Sequence, residues 1–149
     1  TQLILWHLRP FHNGFFEYQF ALQSSEFQQA ISDLRSDARN RGLNLCFAVI
    51  KRFGSGGGGF LSFPRAGFTC NFQVRATDEA RKFLIDLTDR LSDLGAQVYL
   101  AKDAVLLQRH VPMLFPKLAA WQQVAMEVDP AGRVSSDLSV RLGFKPWAK

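Results

Sequence analysis

The chain has 149 residues, of which 47% are hydrophobic and 21% charged, and its formal net charge is +5. These values fit a single globular domain over residues 1–149 and exclude a disordered chain. No apolar run reaches the roughly 18 residues of a membrane-spanning helix, and the opening residues lack the pattern of a signal peptide. Cys46 and Cys70 are too few for a disulfide framework, so a cytoplasmic setting is expected.

The first predicted strand spans residues 16–22, where apolar residues alternate with Glu17, Gln19 and Ala21. A helix should follow it, because Ser25 and Gln28 have the spacing of a capping box. Gly42 is the expected end of that helix. The apolar stripe of the helix consists of Phe27, Ile31, Leu34 and Ala38.

The second predicted strand ends at Lys51 and is followed by the run GSGGGG at residues 54–59. A Walker phosphate loop needs Gly-Lys-Ser/Thr and a helix directly after it, and neither is present. We therefore predict a mobile loop, after which residues 60–63 continue as strand. The alternative is a flexible flap over an anionic ligand, flanked by Lys51, Arg52 and Arg65.

Residues 70–102 repeat the pattern of residues 18–51: strand, cap, amphipathic helix, glycine, strand and lysine. Thr77 is the predicted cap of the second helix and Gly95 its end. Its apolar stripe contains Ala80, Phe83, Leu84, Leu87 and Leu91. Two such β-α-β units predict an α+β fold, with a ferredoxin-like sheet of four strands and both helices on one face.

The rest of the chain predicts helices around this sheet. Asp103 should cap a short one, and Asp129-Pro130 should end the next. Ser135 or Ser136 should open the last helix, which Gly143 closes. The stripe of the middle helix is Leu118, Trp121, Val124 and Ala125.

If both helices cover one face, the polar residues of the strands line the other. Phe68, Cys70, Phe72 and Val74 should then point to the helices. The polar set consists of Glu17, Gln19, Thr69, Asn71 and Gln73, and repeat symmetry places Lys51 and Lys102 at equivalent strand ends. Carboxamides with two lysines suit a polyhydroxylated or anionic ligand, although an ordinary solvated face has the same pattern.

Other catalytic chemistry is sparse in the sequence. His7, His12 and His110 have no metal-ligand spacing, so no metal site is predicted and each histidine should be structural or exposed. The residues alone show no complete catalytic set.

The segments AVIKRFG, FLSFPRAGFTCNF, YLAKDAV and DPAGRVSSDLSVRL carry a resemblance to a known family. From about Phe15 to Leu142 the chain resembles the C-terminal substrate (cap) domain of FAD-linked oxidoreductases of the vanillyl-alcohol-oxidase superfamily. Within the superfamily, the resemblance is strongest to the decaprenylphosphoryl-β-D-ribose oxidases. It implies oxidation of a sugar, sugar-phosphate or polyol hydroxyl by hydride transfer to flavin.

The resemblance also implies site residues. Lys102 would be catalytic and lie near the flavin, with Tyr99 as a second cofactor contact, and Glu17, Gln19, Lys51 and Asn71 would bind substrate. The chain departs from the family in the third strand, where Asn71 faces the site and Cys70 the helices. FAD would be held mainly by a separate N-terminal FAD-binding domain, so the isolated chain is expected to be inactive.

A rival function is a stand-alone ferredoxin-like module that binds a small anionic effector or nucleic acid. A reader of single-stranded RNA needs exposed aromatic residues on its free sheet face. Here Tyr18, Phe20 and Phe72 fall on the helix side, so no nucleic-acid partner is expected. A third alternative is a purely structural or assembly domain.

Overall fold

The computed structural model describes residues 14–147, so the predictions for His7 and His12 lie outside the described residues. The strands are β1 (Phe15–Leu22), β2 (Leu45–Phe53), β3 (Gly67–Arg75) and β4 (Gln97–Val98). The helices are α1 (Ser24–Asn40), α2 (Asp78–Asp93), α3 (Val111–Leu114), α4 (Leu118–Val128) and α5 (Asp137–Arg141). Two single 3₁₀ turns lie between β4 and α3, at Leu100–Lys102 and Gln108–His110.

The strands form one sheet in the order β2-β3-β1-β4, and every neighbouring pair is antiparallel. With α1 between β1 and β2, and α2 between β3 and β4, this is the ferredoxin-like arrangement. The predicted α+β fold with C-terminal helices is therefore confirmed.

The hydrophobic core lies between one face of the sheet and the helices. Tyr18, Phe20 and Phe72 are at most 1% exposed and contribute the strand side. Phe27 of α1 and Phe83 of α2 pack against them in the same cluster. The Tyr18 hydroxyl is 2.7 Å from Thr88 Oγ1 on α2, so the polar atom that the ring carries into the core is paired.

Helix starts were predicted correctly at two positions and wrongly at two others. Thr77 accepts a hydrogen bond from the Ala80 amide at 3.0 Å, and Ser136 caps α5. Ser25 does not cap α1, because Gln23 occupies the cap position and Ser25 instead donates to Glu26. Asp103 does not open a helix either; it follows the 3₁₀ turn Leu100–Lys102.

The segment between β2 and β3 is a loop throughout, so the predicted strand at residues 60–63 is wrong. The loop folds back on itself, since the Gly57 amide donates to the Pro64 carbonyl at 3.1 Å. Phe63 is only 8% exposed because its ring packs onto the sheet, as described below. Phe63 is buried although its backbone belongs to a loop. An apolar pattern at residues 60–63 therefore does not indicate a strand.

Segments after β4 pack on α2 and extend the core with Val111, Leu114, Phe115 and Phe144. The predicted end of α4 at Asp129 is confirmed. Its predicted stripe is only partly correct, because Val124 is 45% exposed and α4 contains no buried residue.

Within residues 14–147, no helix is both long enough and apolar enough to cross a lipid bilayer.

Candidate functional site

Strand register brings the predicted polar residues onto one face, opposite α1 and α2. Gln19 pairs with Asn71 across β1 and β3, and Lys51 of β2 pairs with Thr69. Directly opposed residues in an antiparallel pair point to the same side. We call this side the free face. It consists of Phe15, Glu17, Gln19, Ala21, Cys46, Val49, Lys51, Phe53, Thr69, Asn71, Gln73, Arg75 and Gln97.

A carboxylate, an ammonium group and a carboxamide meet on the free face. Lys102 Nζ donates to Glu17 Oε1 at 2.6 Å, and Asn71 Nδ2 donates to the same oxygen at 2.8 Å. The Glu17 and Lys102 side chains are 31% and 21% exposed, so a ligand can reach both. Among the hydrogen bonds of the described residues, none ends on Glu17 Oε2.

The charge of Glu17 is stabilised by these contacts. Burial raises the pKa of the carboxyl group, but the hydrogen bonds from Lys102 and Asn71 and the positive charge of Lys102 outweigh burial. The net result is a pKa below the ordinary value of 4.5. Glu17 is therefore ionised near neutral pH and can accept a hydrogen bond or a proton.

Gln19 is held beside this cluster by Thr69. Gln19 Nε2 donates to Thr69 Oγ1 at 3.1 Å, and Thr69 Oγ1 in turn donates to the Phe20 carbonyl at 2.8 Å. Thr69 is 1% exposed, so it orients Gln19 rather than contacting a ligand. Thr69 thus acts as a positioning residue.

Three carboxamide oxygens on the free face are buried without a hydrogen-bond donor. They are Asn71 Oδ1, Gln73 Oε1 and Gln97 Oε1, and no other buried side-chain polar atom of the described residues lacks a partner. A buried acceptor left unpaired costs roughly 1–3 kcal/mol. Buried polar groups are normally paired, so these three acceptors distinguish the free face from the helix side of the sheet.

An aromatic group covers one end of the free face. The Phe63 ring lies 5.8 Å from that of Phe53 and 5.0 Å from that of Tyr99. Phe53 is on β2 and Tyr99 follows β4, so a ring in contact with both lies over the strands between them. Ala21, on this end of β1, is fully buried. The Phe53–Phe63–Tyr99 group therefore leaves the Glu17 end open.

The two predicted lysines reach the free face by different routes. Lys51 lies within β2 and is exposed, with no ion pair among the described residues. Lys102 is in the 3₁₀ turn Leu100–Lys102, because β4 ends at Val98. The predicted equivalence of the two strand ends is therefore wrong, although Lys102 still turns back to Glu17. Tyr99 lies beside Phe63, at the end of the free face opposite Glu17, and is 39% exposed.

Sequence reasoning missed Gln97, Phe53 and Phe63 as residues of this face. Gln97 and Tyr99 flank the buried Val98, and this alternation was the available signal. Phe63 offered none, because its place depends on how a glycine-rich loop folds back. His110 was predicted to be structural or exposed, and it is fully buried against α2.

Two residues that the resemblance assigns to the flavin lie on or beside the free face, namely Tyr99, which contacts Phe63, and Lys102, which contacts Glu17. Lys102 would face the polar edge of a flavin ring, and Tyr99 would face an apolar part. Within residues 14–147 there is no glycine loop that leads into a helix to hold phosphates. The same residues contain no group of three or more His, Cys, Asp or Glu that could bind a metal.

Comparison with known proteins relates this chain to part of an oxidase. No protein-family model matches the chain. It is 31% identical over 134 residues to the decaprenylphosphoryl-beta-D-ribose oxidase of Mycolicibacterium smegmatis, a match that covers 87% of this chain. An uncharacterized protein in the mprA 5' region of Streptomyces coelicolor is 32% identical over 97 residues, 64% of this chain. The matches cover only 28% and 26% of these two relatives, so the chain spans about a quarter of the length of each. The chain is a distant homologue of part of the named oxidase.

Proposed function

We propose that the chain is the substrate-binding (cap) domain of an FAD-dependent oxidoreductase that oxidises a hydroxyl group of a sugar, sugar-phosphate or polyol. The relationship to a ribose oxidase over 87% of the chain supports this proposal. The larger remaining part of such an enzyme would then include the FAD-binding domain.

The observation that carries the proposal is the polarity of the free face. Three buried acceptors lack donors there, and the ionised Glu17 sits among them. Hydroxyl groups are both donors and acceptors, so a polyol can pair with the accessible Glu17 carboxylate and with the lysines together. A carbonyl product has lost one donor, which would weaken its binding relative to the alcohol.

Substrate would be oriented by residues on three strands. Gln19, fixed by Thr69, and Asn71 would hydrogen-bond to hydroxyl groups. Lys51, exposed on the outer strand β2, would hold an anionic or polar group farther from the reacting carbon. Tyr99 and Lys102 would contact the flavin ring.

Proton transfer is the step to which the Glu17–Lys102 pair is suited. Bound FAD would supply the acceptor for the hydride that leaves carbon. Lys102 Nζ would polarise the reacting oxygen, and Glu17 Oε2 would accept the hydroxyl proton. Both hydrogen bonds to Glu17 use Oε1, so Oε2 remains available for this role.

Reconstitution tests the proposal. The chain would be mixed with the FAD-binding domain of its parent enzyme, and flavin absorbance would be followed anaerobically with sugars and polyols. We expect bleaching with at least one candidate. Lys102→Ala or Gln19→Ala should slow it about 100-fold or more.

Lys82→Ala is the matched control, because Lys82 is exposed on α2, away from the free face. Flavin binding, read from its visible spectrum, should be similar in all variants. Bleaching at the same rate with and without the chain would contradict the proposal.

A further inference from the structure

A cavity of about 470 Å³ lies beside the edge strand β4, between the glycine-rich loop that joins β2 to β3 and the segment that precedes α4. Its lining has only Gln97 in common with the free face, and it includes neither Glu17 nor Lys102. Small-molecule sites typically have volumes of roughly 300–1,000 Å³. The cavity is therefore large enough to be a ligand site of its own.

The polar side chains around this cavity can all donate hydrogen bonds. They are Ser62, Arg65, Gln97 and Lys117, and the lining contains no aspartate or glutamate. Neither Arg65 nor Lys117 forms an ion pair with a carboxylate of residues 14–147. Two cations without a carboxylate partner attract an anion.

The glycine-rich loop adds backbone donors to the same cavity. The amides of Gly56, Gly59 and Phe60, which line it, donate to no backbone carbonyl in the part of the chain that the structure describes. The loop is folded tightly at Gly57, where a Cβ atom would collide with the side chain of Ser62. Free backbone amides in a folded loop can bind an anion together with nearby cations.

Arg65 also offsets a feature that would repel an anion. Gly95 follows the C-terminal end of α2, where free carbonyl groups carry partial negative charge. Arg65 Nη1 donates to the Gly95 carbonyl, and the guanidinium keeps further N–H groups for a ligand. Lys51 and Arg52, which were expected to flank an anionic ligand with Arg65, do not line this cavity.

The remaining side chains of the cavity are apolar. Phe60 and Met113 line it and are 42% and 45% exposed, so a ligand can reach both. An apolar surface next to two cations suits a molecule that joins an anion to an organic group better than it suits a free inorganic anion.

We propose that this cavity is a second ligand site, which binds a small phosphate monoester. A phosphate monoester carries about two negative charges near neutral pH, which matches the two cations Arg65 and Lys117. Its oxygens would accept hydrogen bonds from these side chains and from the loop amides, while Phe60 and Met113 contact the organic group. The proposal requires no flavin and does not depend on the role of the free face.

Titration of the 149-residue chain with phenyl phosphate, followed by amide NMR, tests the proposal. The amide signals of Gly56, Gly59 and Phe60 should shift until they reach saturation. Inorganic phosphate should shift the same signals but bind several-fold more weakly, because it cannot contact Phe60 and Met113. Equal affinity for the two probes would overturn the assignment to an ester, and shifts without saturation would overturn the site itself.

A pair of lysine variants separates a built site from general attraction to a chain of net charge +5. Lys117→Gln should bind phenyl phosphate about fivefold more weakly or worse, because a charged donor is lost. Lys82→Gln is the matched control, since it removes the same charge from an exposed position on α2. Both lysines are exposed, so the melting temperatures should agree with that of the wild type. Equal affinity of the two variants would overturn the proposal.

Discussion

The two faces of the sheet differ in what completes them. On the helix side, Tyr18, Phe20 and Phe72 are buried by the chain's own helices, and the Tyr18 hydroxyl is paired with Thr88. On the free face, Asn71, Gln73 and Gln97 each bury an oxygen that has no donor. The chain thus pairs the buried polar group on one face and leaves three buried acceptors unpaired on the other. Substitutions on the helix side should therefore mainly change stability, and substitutions on the free face should mainly change function.

The largest expected effect is on the helix side. Phe72→Ala removes a fully buried ring that touches Tyr18, and we expect it to lower the free energy of unfolding by about 3–5 kcal/mol. Urea unfolding followed by circular dichroism would measure this change. A loss below about 1 kcal/mol would show that the helix-side core is not what holds the fold.

A second effect comes from pH on the same side. His110 Nδ1 accepts the Leu107 amide at 3.0 Å, and Nε2 lies 3.0 Å from Asp89 Oδ1. Burial is the largest influence and lowers the pKa of His110, Asp89 raises it and Arg109 lowers it, so that the pKa lies below its ordinary value. Neutral His110 thus stabilises the fold fully above its unfolded pKa of about 6.5. That contribution is lost as pH falls below this value, at no more than about 1.4 kcal/mol per pH unit.

Urea midpoints measured between pH 8 and 5 would show this loss in wild type. His110→Gln should lack that component of the pH dependence while being less stable at pH 8. An identical pH profile in the two proteins would mean that His110 does not titrate between pH 8 and 5.

A smaller effect is expected from the ion pair of the free face. Lys102→Met removes the partner of a partly exposed carboxylate, so the free energy of unfolding should change by about 1 kcal/mol or less. The pKa of Glu17 should rise, because burial is then opposed only by Asn71. Carboxyl-carbon NMR titration would follow Glu17 directly. An unchanged pKa would mean that Lys102 does not contact it in solution.

The smallest effect on stability is expected at Gln73, which lies beside Phe72 but on the other face. Gln73→Met removes a buried unpaired oxygen at similar volume, so stability should stay the same or rise by up to about 1 kcal/mol. Urea unfolding against wild type would decide this. A loss of more than about 1 kcal/mol would show that the Gln73 oxygen is hydrogen-bonded in solution.

The sequence predicted correctly those features that depend on residues close together in the chain. Alternation in β1 and β3 assigned Glu17, Gln19 and Asn71 to the free face, and the repeat predicted the sheet. The cap at Thr77 was also predictable, because Thr77 bonds to an amide three residues away. These features are set by neighbours in sequence, so spacing reveals them.

The wrong or missed predictions concern contacts between residues that are far apart in the chain. Lys102 reaches Glu17 although β4 is only two residues long, and Phe63 reaches the sheet from within a loop. Both contacts depend on where the chain returns in space, which period-2 patterns do not encode. The exposure of Val124 is a further example, since an apolar stripe predicts burial but does not show whether another element packs over every residue of the stripe.

The outer strands of the sheet bear on how the chain behaves before it meets any partner. Exposed strand edges invite uncontrolled strand addition and fibril growth. One edge here, β4, is only two residues long. The other, β2, carries a bulge between Cys46 and Val49, with a positive φ at Phe47, and has the charged pair Lys51 and Arg52 just before its last residue. With both edges blunted in this way, neither offers a long flat edge for the addition of a further strand.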